Sequence, residues 1–395
     1  MYRVIPVLLI TITVATSAMA NESITEALNN GKASVDLRLR YESVEQDNAV
    51  EDAGALTLRT HLGYSSGSYK GFSAKLEMED VRIAGGQGDY TVGPTGYNPG
   101  QYSVIADPEH TELDQGYLQY KTDSIQTKLG RQVLTYDNHR FVGHVGWRQD
   151  RQTFDGVSIK ATPLKSLTVN YSYLTQRNRI FAEEADVESK DHLLNLSYKT
   201  PVGKLTGYAY MLTVDNNTDN ALDTIGFSLN GGKDLSYHVE IADQTSETVA
   251  SEFDSSYLFA ELATKFSGMT AKLGHEILGS DDGNYGFSTP LATLHKFNGW
   301  SDQFLGTPAA GLVDTYLSLG GKVAGGKWLL SYHDFSADES SATLSDLGSE
   351  IDLLFAKKLS KTYSTGIKYA SYSAGDAAAS KVDTDKLWVW FSVKI

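Results

Sequence analysis

The chain has no cysteine and only 8 prolines among its 395 residues. Without thiols there is no disulfide framework and no thiolate metal site. Beyond the N-terminus no apolar run approaches the ~18–20 residues of a membrane-crossing helix, which excludes a helical membrane protein. Basic side chains are the minority, 34 − 49 = −15. They form no basic stripe, which argues against a nucleic-acid partner. Enzyme signatures are wanting as well: there is no serine nucleophile elbow, no H-E-x-x-H and no phosphate-binding glycine loop. No catalytic residue is assigned, and the chain reads as a non-enzyme. Glycine (36) and tyrosine (23) are plentiful.

The N-terminus points to export. Arg3, the apolar stretch Val4 to Val14, and small residues ending Ala18-Met19-Ala20 form a charged start, a short apolar core and an A-x-A cleavage site. Residues 1–20 are therefore expected to be a signal peptide, with the mature chain starting at Asn21. The competing reading, an uncleaved anchor, is disfavoured by the shortness of the run. Loss of Arg3 takes the net charge from −15 to −16.

Residues 21–395 read as a series of segments alternating with period two. In 34–43, Val35, Leu37, Leu39 and Tyr41 fall on one face, and Asp36, Arg38, Arg40 and Glu42 on the other. A strand with one apolar and one charged face separates two different solvents. Eighteen such segments occur: 34–43, 54–65, 70–82, 112–121, 125–133, 151–161, 165–175, 190–199, 203–214, 222–231, 234–243, 256–266, 269–278, 311–321, 326–335, 348–358, 362–372 and 384–395. The connections between them alternate strictly between tight and long. The tight ones hold at most about four residues, and the long ones include 83–111, 134–150 and 279–310. Such sorting is expected of an all-β, antiparallel transmembrane barrel with short periplasmic turns and long extracellular loops. Alternation also explains how a chain of mean hydropathy −0.29 could cross a bilayer. Tyr41, Tyr64, Tyr120, Tyr173, Tyr198 and Tyr332, near strand ends, suit interfacial girdles, although tyrosine is common in any strand. The expected location is the outer membrane of a Gram-negative bacterium, in contact with its lipid.

Two blocks carry a closer resemblance. The first is Gly130-Arg131-Gln132, Tyr136-Asp137, Arg140, Trp147-Arg148-Gln149, Arg151 and Phe154-Asp155-Gly156. The second is Pro290-Leu291-Ala292-Thr293, His295 to Trp300, Asp302, Phe304, Pro308, Gly311-Leu312 and Asp314. With Tyr332-His333-Asp334-Phe335 and Gly348 to Asp352, they resemble the alginate-export porin family. The resemblance implies an eighteen-stranded barrel and leaves the cargo open. Outer-membrane proteins also resemble one another in a C-terminal alternating strand, usually ending in an aromatic residue, that the barrel-assembly machinery reads. Here the final residue is Ile395.

Alternation nominates lumen-facing charges: basic Arg38, Arg40, Arg59, Lys75, Lys128, Arg131 and Lys272, and acidic Asp36, Glu42, Glu77, Glu79, Glu276, Glu350 and Asp352. Opposed charge rows could set ion preference in a pore; alternatively they pair across strands and only hold the wall. The long loops supply constriction candidates: Arg140, Trp147, Arg148, His295, Lys296, Trp300 and Asp302. They could narrow the lumen and meet a sugar or carboxylate, or simply pack for stability. The loop 83–111 is expected to be a surface lid or partner-binding tip. No cofactor is implied, beyond a loop calcium that Asp281-Asp282-Gly283-Asn284 or Asp215-Asn216-Asn217 could hold. The leading expectation is a passive porin for small hydrophilic or anionic solutes, and the alternative a secretion conduit for an anionic polysaccharide such as alginate. Its oligomeric state, monomer or trimer, stays open.

Overall fold

The computed structural model describes residues 23–92, 97–215 and 220–395. The expected signal peptide, and Asn216 and Asn217 of the second acidic turn, lie outside the described residues.

The alternating segments form one closed antiparallel sheet of eighteen strands. They are β1 (Lys32–Gln46), β2 (Ala53–Ser65), β3 (Phe72–Asp89), β4 (His110–Lys121), β5 (Ile125–Gln132), β6 (Thr153–Leu164), β7 (Leu167–Asn178), β8 (Val187–Thr200) and β9 (Gly203–Thr213). They continue with β10 (Ala221–Gly232), β11 (Leu235–Glu247), β12 (Glu252–Phe266), β13 (Met269–Leu278), β14 (Leu312–Val323), β15 (Gly326–Ser336), β16 (Asp346–Lys358), β17 (Tyr363–Ser373) and β18 (Thr384–Lys394). Each strand pairs with the next, and β18 returns to β1 with Asp36 opposite Lys394 and Gln46 opposite Thr384. The Val35 and Ile395 backbones exchange hydrogen bonds of 3.0 and 2.9 Å at the seam. Closure leaves no unpaired edge, the requirement for a sheet in lipid. A short helix, α1 (Ile24–Asn29), capped by the Ser23 hydroxyl, lies beside the turn after β2, where the Gly67 N–H donates to Ala27.

All eighteen expected segments are strands, but the sorting of connections is less strict than expected. Strands β11 and β12 run on past their expected ends, so only 248–251 joins them, as short as a periplasmic turn. The longest short-side turn, 66–71, holds six residues, not four. The stretch Gly63-Tyr64-Ser65-Ser66-Gly67 does spell the serine-hydrolase pattern. It ends β2 and enters a hairpin turn, however, so it lacks the strand-to-helix bend that exposes a nucleophile.

The outward face is apolar and uncovered: Leu76, Leu118, Leu129, Ile225, Phe227, Leu273 and Leu317 are all more than half exposed. A patch of this extent is untenable in water and is the belt a barrel shows to lipid. Leu273 sits midway along β13, with Lys272 on the other face paired to Glu261 at 3.0 Å. Leu273→Arg should cost about 2–4 kcal/mol in urea unfolding from lipid vesicles. Lys272→Arg should be nearly neutral; equal costs would contradict the assigned faces.

Candidate functional site: the constriction

The lumen is partly filled by its own loops. Inward-facing side chains toward the long-loop ends of the wall are apolar, among them Leu174, Leu193, Tyr208, Tyr210, Leu212, Phe335 and Tyr372. They form one cluster with Leu134, Tyr136 and Val142 from the loop 133–152, and with Phe287, Leu291 and Phe304 from the loop 279–311. Phe141 packs within 5.0–6.0 Å of the Tyr208, Tyr257 and Phe287 rings. This seat was missed from sequence, because inward positions are expected to be polar. The signal was there in Tyr208, Tyr210 and Leu212, which alternate on the face opposite the lipid-facing positions.

The motif glycines shape where these loops leave the wall. Gly130 on β5 lies directly opposite Gly156 on β6. Both have positive φ, 119° and 152°, and a Cβ on Gly156 would meet the Tyr173 carbonyl oxygen at 2.1 Å. Gln132 then donates to the carbonyls of both glycines, at 3.2 and 3.4 Å.

Above the apolar seat the two loops are tied to the wall, and to each other, by ion pairs. Arg140 reaches Glu276 on β13 at 2.8 Å and Asn298 of the other loop at 3.1 Å. Asn298 donates onward to Glu276 (2.7 Å) and Asp314 (3.2 Å). Arg148 pairs with Glu42 on β1 at 2.9 Å and with Asp302 at 3.2 Å. Asp302 also accepts from His295 Nδ1 (2.6 Å) and Lys386 (3.0 Å). The Ser301 N–H donates to Glu350 at 2.7 Å, as do the Trp300 N–H and the Ser301 hydroxyl. Lys296 donates to the Asn138 carbonyl at 2.6 Å, joining the two loops. Behind this layer Lys368 on β17 is enclosed by aromatic faces, 3.6 Å from the Trp300 centroid and 4.2 Å from that of Trp147. Trp147 in turn stacks on His295.

All seven loop candidates thus meet in one layer. The wall candidates divide. Arg38 donates to Gln149 (2.8 Å) and to the Gly146 and Arg148 carbonyls, so it anchors the loop. Arg40 pairs with Glu42 at 3.1 Å and with Asp107, Arg59 with Asp36 at 2.9 Å, and Lys75 with Glu77 at 3.1 Å. Of these pairs only Arg59–Asp36 joins neighbouring strands; Arg40–Glu42 and Lys75–Glu77 each lie along one strand, and Arg40 also holds the loops through Asp107 and the Trp147 carbonyl. Asp352 is buried, 3.8 Å from His333 Nε2. Arg131 does not line the pore: alternation along β5 turns Lys128 and Gln132 inward and therefore turns Arg131 outward, where Asp155 pairs with it at 2.9 Å. In the loop 83–111, expected as a surface tip, Tyr90 to Val92 and Ile105 to Asp107 are drawn inward while Pro99, Gly100 and Gln101 stay exposed. Tyr90 and Ile105 are fully buried, and Asp107 accepts from the Gln149 N–H at 3.0 Å, because an apolar lining of Val44, Ala53 and Ala55 draws these stretches into the mouth. Asp281 ends one of the two-residue strands of a small hairpin whose turn, Asp282 to Asn284, is exposed, away from any group of three metal-capable side chains among the described residues.

Two cavities flank this layer. On the short-turn side one of ≈ 480 Å³ is lined by Gln126, Lys128, Lys160, Asn170, Asn195 and Lys204. On the long-loop side one of ≈ 560 Å³ meets Arg148, Arg179, Lys381 and Lys386 beside Phe181, Leu294 and Leu305. Lys204 is held by Asp137 at 2.6 Å. Lys128 lies 4.5 Å over the Tyr117 ring, and among the described residues neither it nor Lys160 has a carboxylate partner.

Burial pushes the His295 imidazole down to about 3, the Lys368 and Arg148 cations adding to this against the pull of Asp302. Its Nδ1–H donates to Asp302, and Nε2 accepts from Lys368 at 2.7 Å, so the neutral ring fits its site. An unfolded chain would take up this proton near pH 6.5. Stability from this group is therefore complete above about 6.5 and is lost as the pH falls toward about 3. Urea midpoints between these values should fall with acidity, and less steeply in His295→Gln. An unchanged slope in the variant would remove His295 from the account.

A closed eighteen-stranded barrel, apolar outside and narrowed by inward loops, has the architecture of an outer-membrane porin. The model of the alginate export family matches residues 32–228, and over that stretch the chain belongs to that family. Among solved structures it is similar to three from Pseudomonas aeruginosa. OccK8 (OprE) has 16% identity and a TM-score of 0.70, covering 93% of this chain and 99% of that one. OccK9 (OpdG) has 14% identity and a TM-score of 0.71, covering 93% and 100%. OpdK, solved with vanillate, has 13% identity and a TM-score of 0.68, covering 92% and 98%. At such identities the likeness is one of fold. No curated protein matches the chain.

Proposed function

We propose that the chain is a passive outer-membrane channel for small hydrophilic solutes, with a preference for anions. The observation that carries this reading is a lumen narrowed in one loop-built layer between two cavities, with Lys128 and Lys160 on the short-turn side free of carboxylate partners among the described residues. Free cations at a pore wall raise the local concentration of anions. Vanillate, found with one structural neighbour, is a small carboxylate that cavities of this size would admit. Reversal potentials across a KCl gradient should show anion selectivity, moved toward cations by Lys128→Glu with Lys160→Glu. Cation selectivity in the unaltered protein, unmoved by the pair, would refute the preference. Export implies cleavage after Ala20, so the isolated protein should have the mass of a chain beginning at Asn21.

The family match favours a second reading, a conduit for an anionic polysaccharide. In it, long uronate oligomers would block the current more strongly than monomers do. In a small-solute channel monomers would permeate and length would add little.

A further inference from the structure

We propose that Glu79, His110 and Asp150 form a binding site for a divalent transition-metal ion, Zn2+ foremost, that pins the loop 133–152 to the wall. One ligand atom from each lies within 4.8 Å of the others. His110 Nε2 is 3.2 Å from a Glu79 oxygen and 3.7 Å from an Asp150 oxygen. Ligands about 2.1 Å from a tetrahedral ion stand roughly 3.4 Å apart, so these spacings need little adjustment.

The surroundings orient the donors as a metal site requires. His110 Nδ1 is 3.1 Å from the Pro108 carbonyl, which can only accept, so Nδ1 carries the proton. In the neutral ring that leaves a lone pair on Nε2, aimed between two carboxylates, an arrangement that repels unless a cation or a proton lies between. The other oxygen of Glu79 is held by His61 Nε2. Supporting hydrogen bonds of this kind fix a ligand's orientation. All three ligands are buried.

A second group, His61, Glu77 and Asp114, also brings three donors together. There the Arg151 guanidinium already bonds Glu77 at 2.7 Å and Asp114 at 2.8 Å. Arg151 thus fills the second site with a cation of its own and leaves the first to an ion. One imidazole with two carboxylates suits Zn2+ over Mg2+ or Ca2+, which take oxygen ligands. Asp150 belongs to the constriction loop, whereas Glu79 and His110 stand on adjacent wall strands β3 and β4. The ion would therefore cross-link the inward loop to the barrel wall.

Equilibrium dialysis of the chelator-treated, detergent-solubilised barrel against Zn2+ at pH 7.5 tests the site. One equivalent should bind in the presence of excess Mg2+. His110→Gln and Glu79→Gln should each weaken binding at least ~10-fold, while His275→Gln, at an exposed position on β13, should leave it unchanged. Heat-modifiable migration on gels checks that each variant is folded. As a second readout, Zn2+ should slow protease cleavage within 133–152 in the unaltered protein but not in His110→Gln. No stoichiometric uptake would overturn the proposal and leave a proton alone to bridge the cluster; uptake that survives both substitutions in folded protein would overturn it by placing the ion elsewhere.

Discussion

Replacing residues 139–148 by a short glycine–serine linker should raise single-channel conductance several-fold and blur discrimination among solutes. These residues supply Arg140, Trp147 and Arg148, which reach Glu276, the Lys368 side chain and Glu42 across the lumen. No wall strand is cut, and the register of β5 with β6 is untouched. The linker therefore removes the obstruction while the barrel keeps its backbone ladder. The carboxylates it leaves without partners would face water in a widened pore, where their desolvation penalty disappears. An unaltered conductance in folded protein would mean that the restriction to flow lies elsewhere.

Asp302→Asn should have the largest effect of any single substitution in the constriction. Asp302 accepts from His295 and lies beside Arg148 and Lys386, all with little solvent access. Against the upward push of burial, the His295 N–H and the two cations hold its carboxyl well below the usual range. Removing that charge takes the carboxylate from the buried Lys386 and leaves Arg148 with Glu42 alone, a change that costs about 3–5 kcal/mol. The cost falls on the loop, whose attachments break, more than on the wall. Hydrogen exchange within 294–305 should speed up roughly 100- to 4000-fold, since every ~1.4 kcal/mol is tenfold. Current through the variant should flicker between levels. Unchanged exchange would show that apolar packing alone holds the loop.

Much of the wall was legible in the sequence, because a two-residue period maps directly onto inside and outside. That is why all eighteen strands stand where alternation put them, and why Leu273 and Lys272 face opposite ways. Position within a motif says nothing of side, and Arg131 was misplaced for that reason: its block marks a loop exit shaped by Gly130 and Gly156, while the parity of β5 turns its side chain out. The constriction was legible as a list of residues but not as a network. Nothing in sequence spacing pairs Arg148 with Glu42, 106 positions away. The inward course of Tyr90 to Val92 and Ile105 to Asp107, in the loop 83–111, was also hidden. It depends on Tyr90 and Ile105 meeting Val44, Ala53 and Ala55, contacts that only the closed barrel brings together.

The absence of native cysteine allows the central claim to be tested one side chain at a time. Single cysteines at Lys128, Leu129, Ile159 and Lys160 would be exposed, in lipid vesicles, to a charged, water-soluble thiol reagent. The account expects rapid labelling at 128 and 160, inside a wet lumen, and protection at 129 and 159, against lipid. Equal labelling at all four positions, in protein shown to be folded and inserted, would contradict a wall with water on one side and lipid on the other.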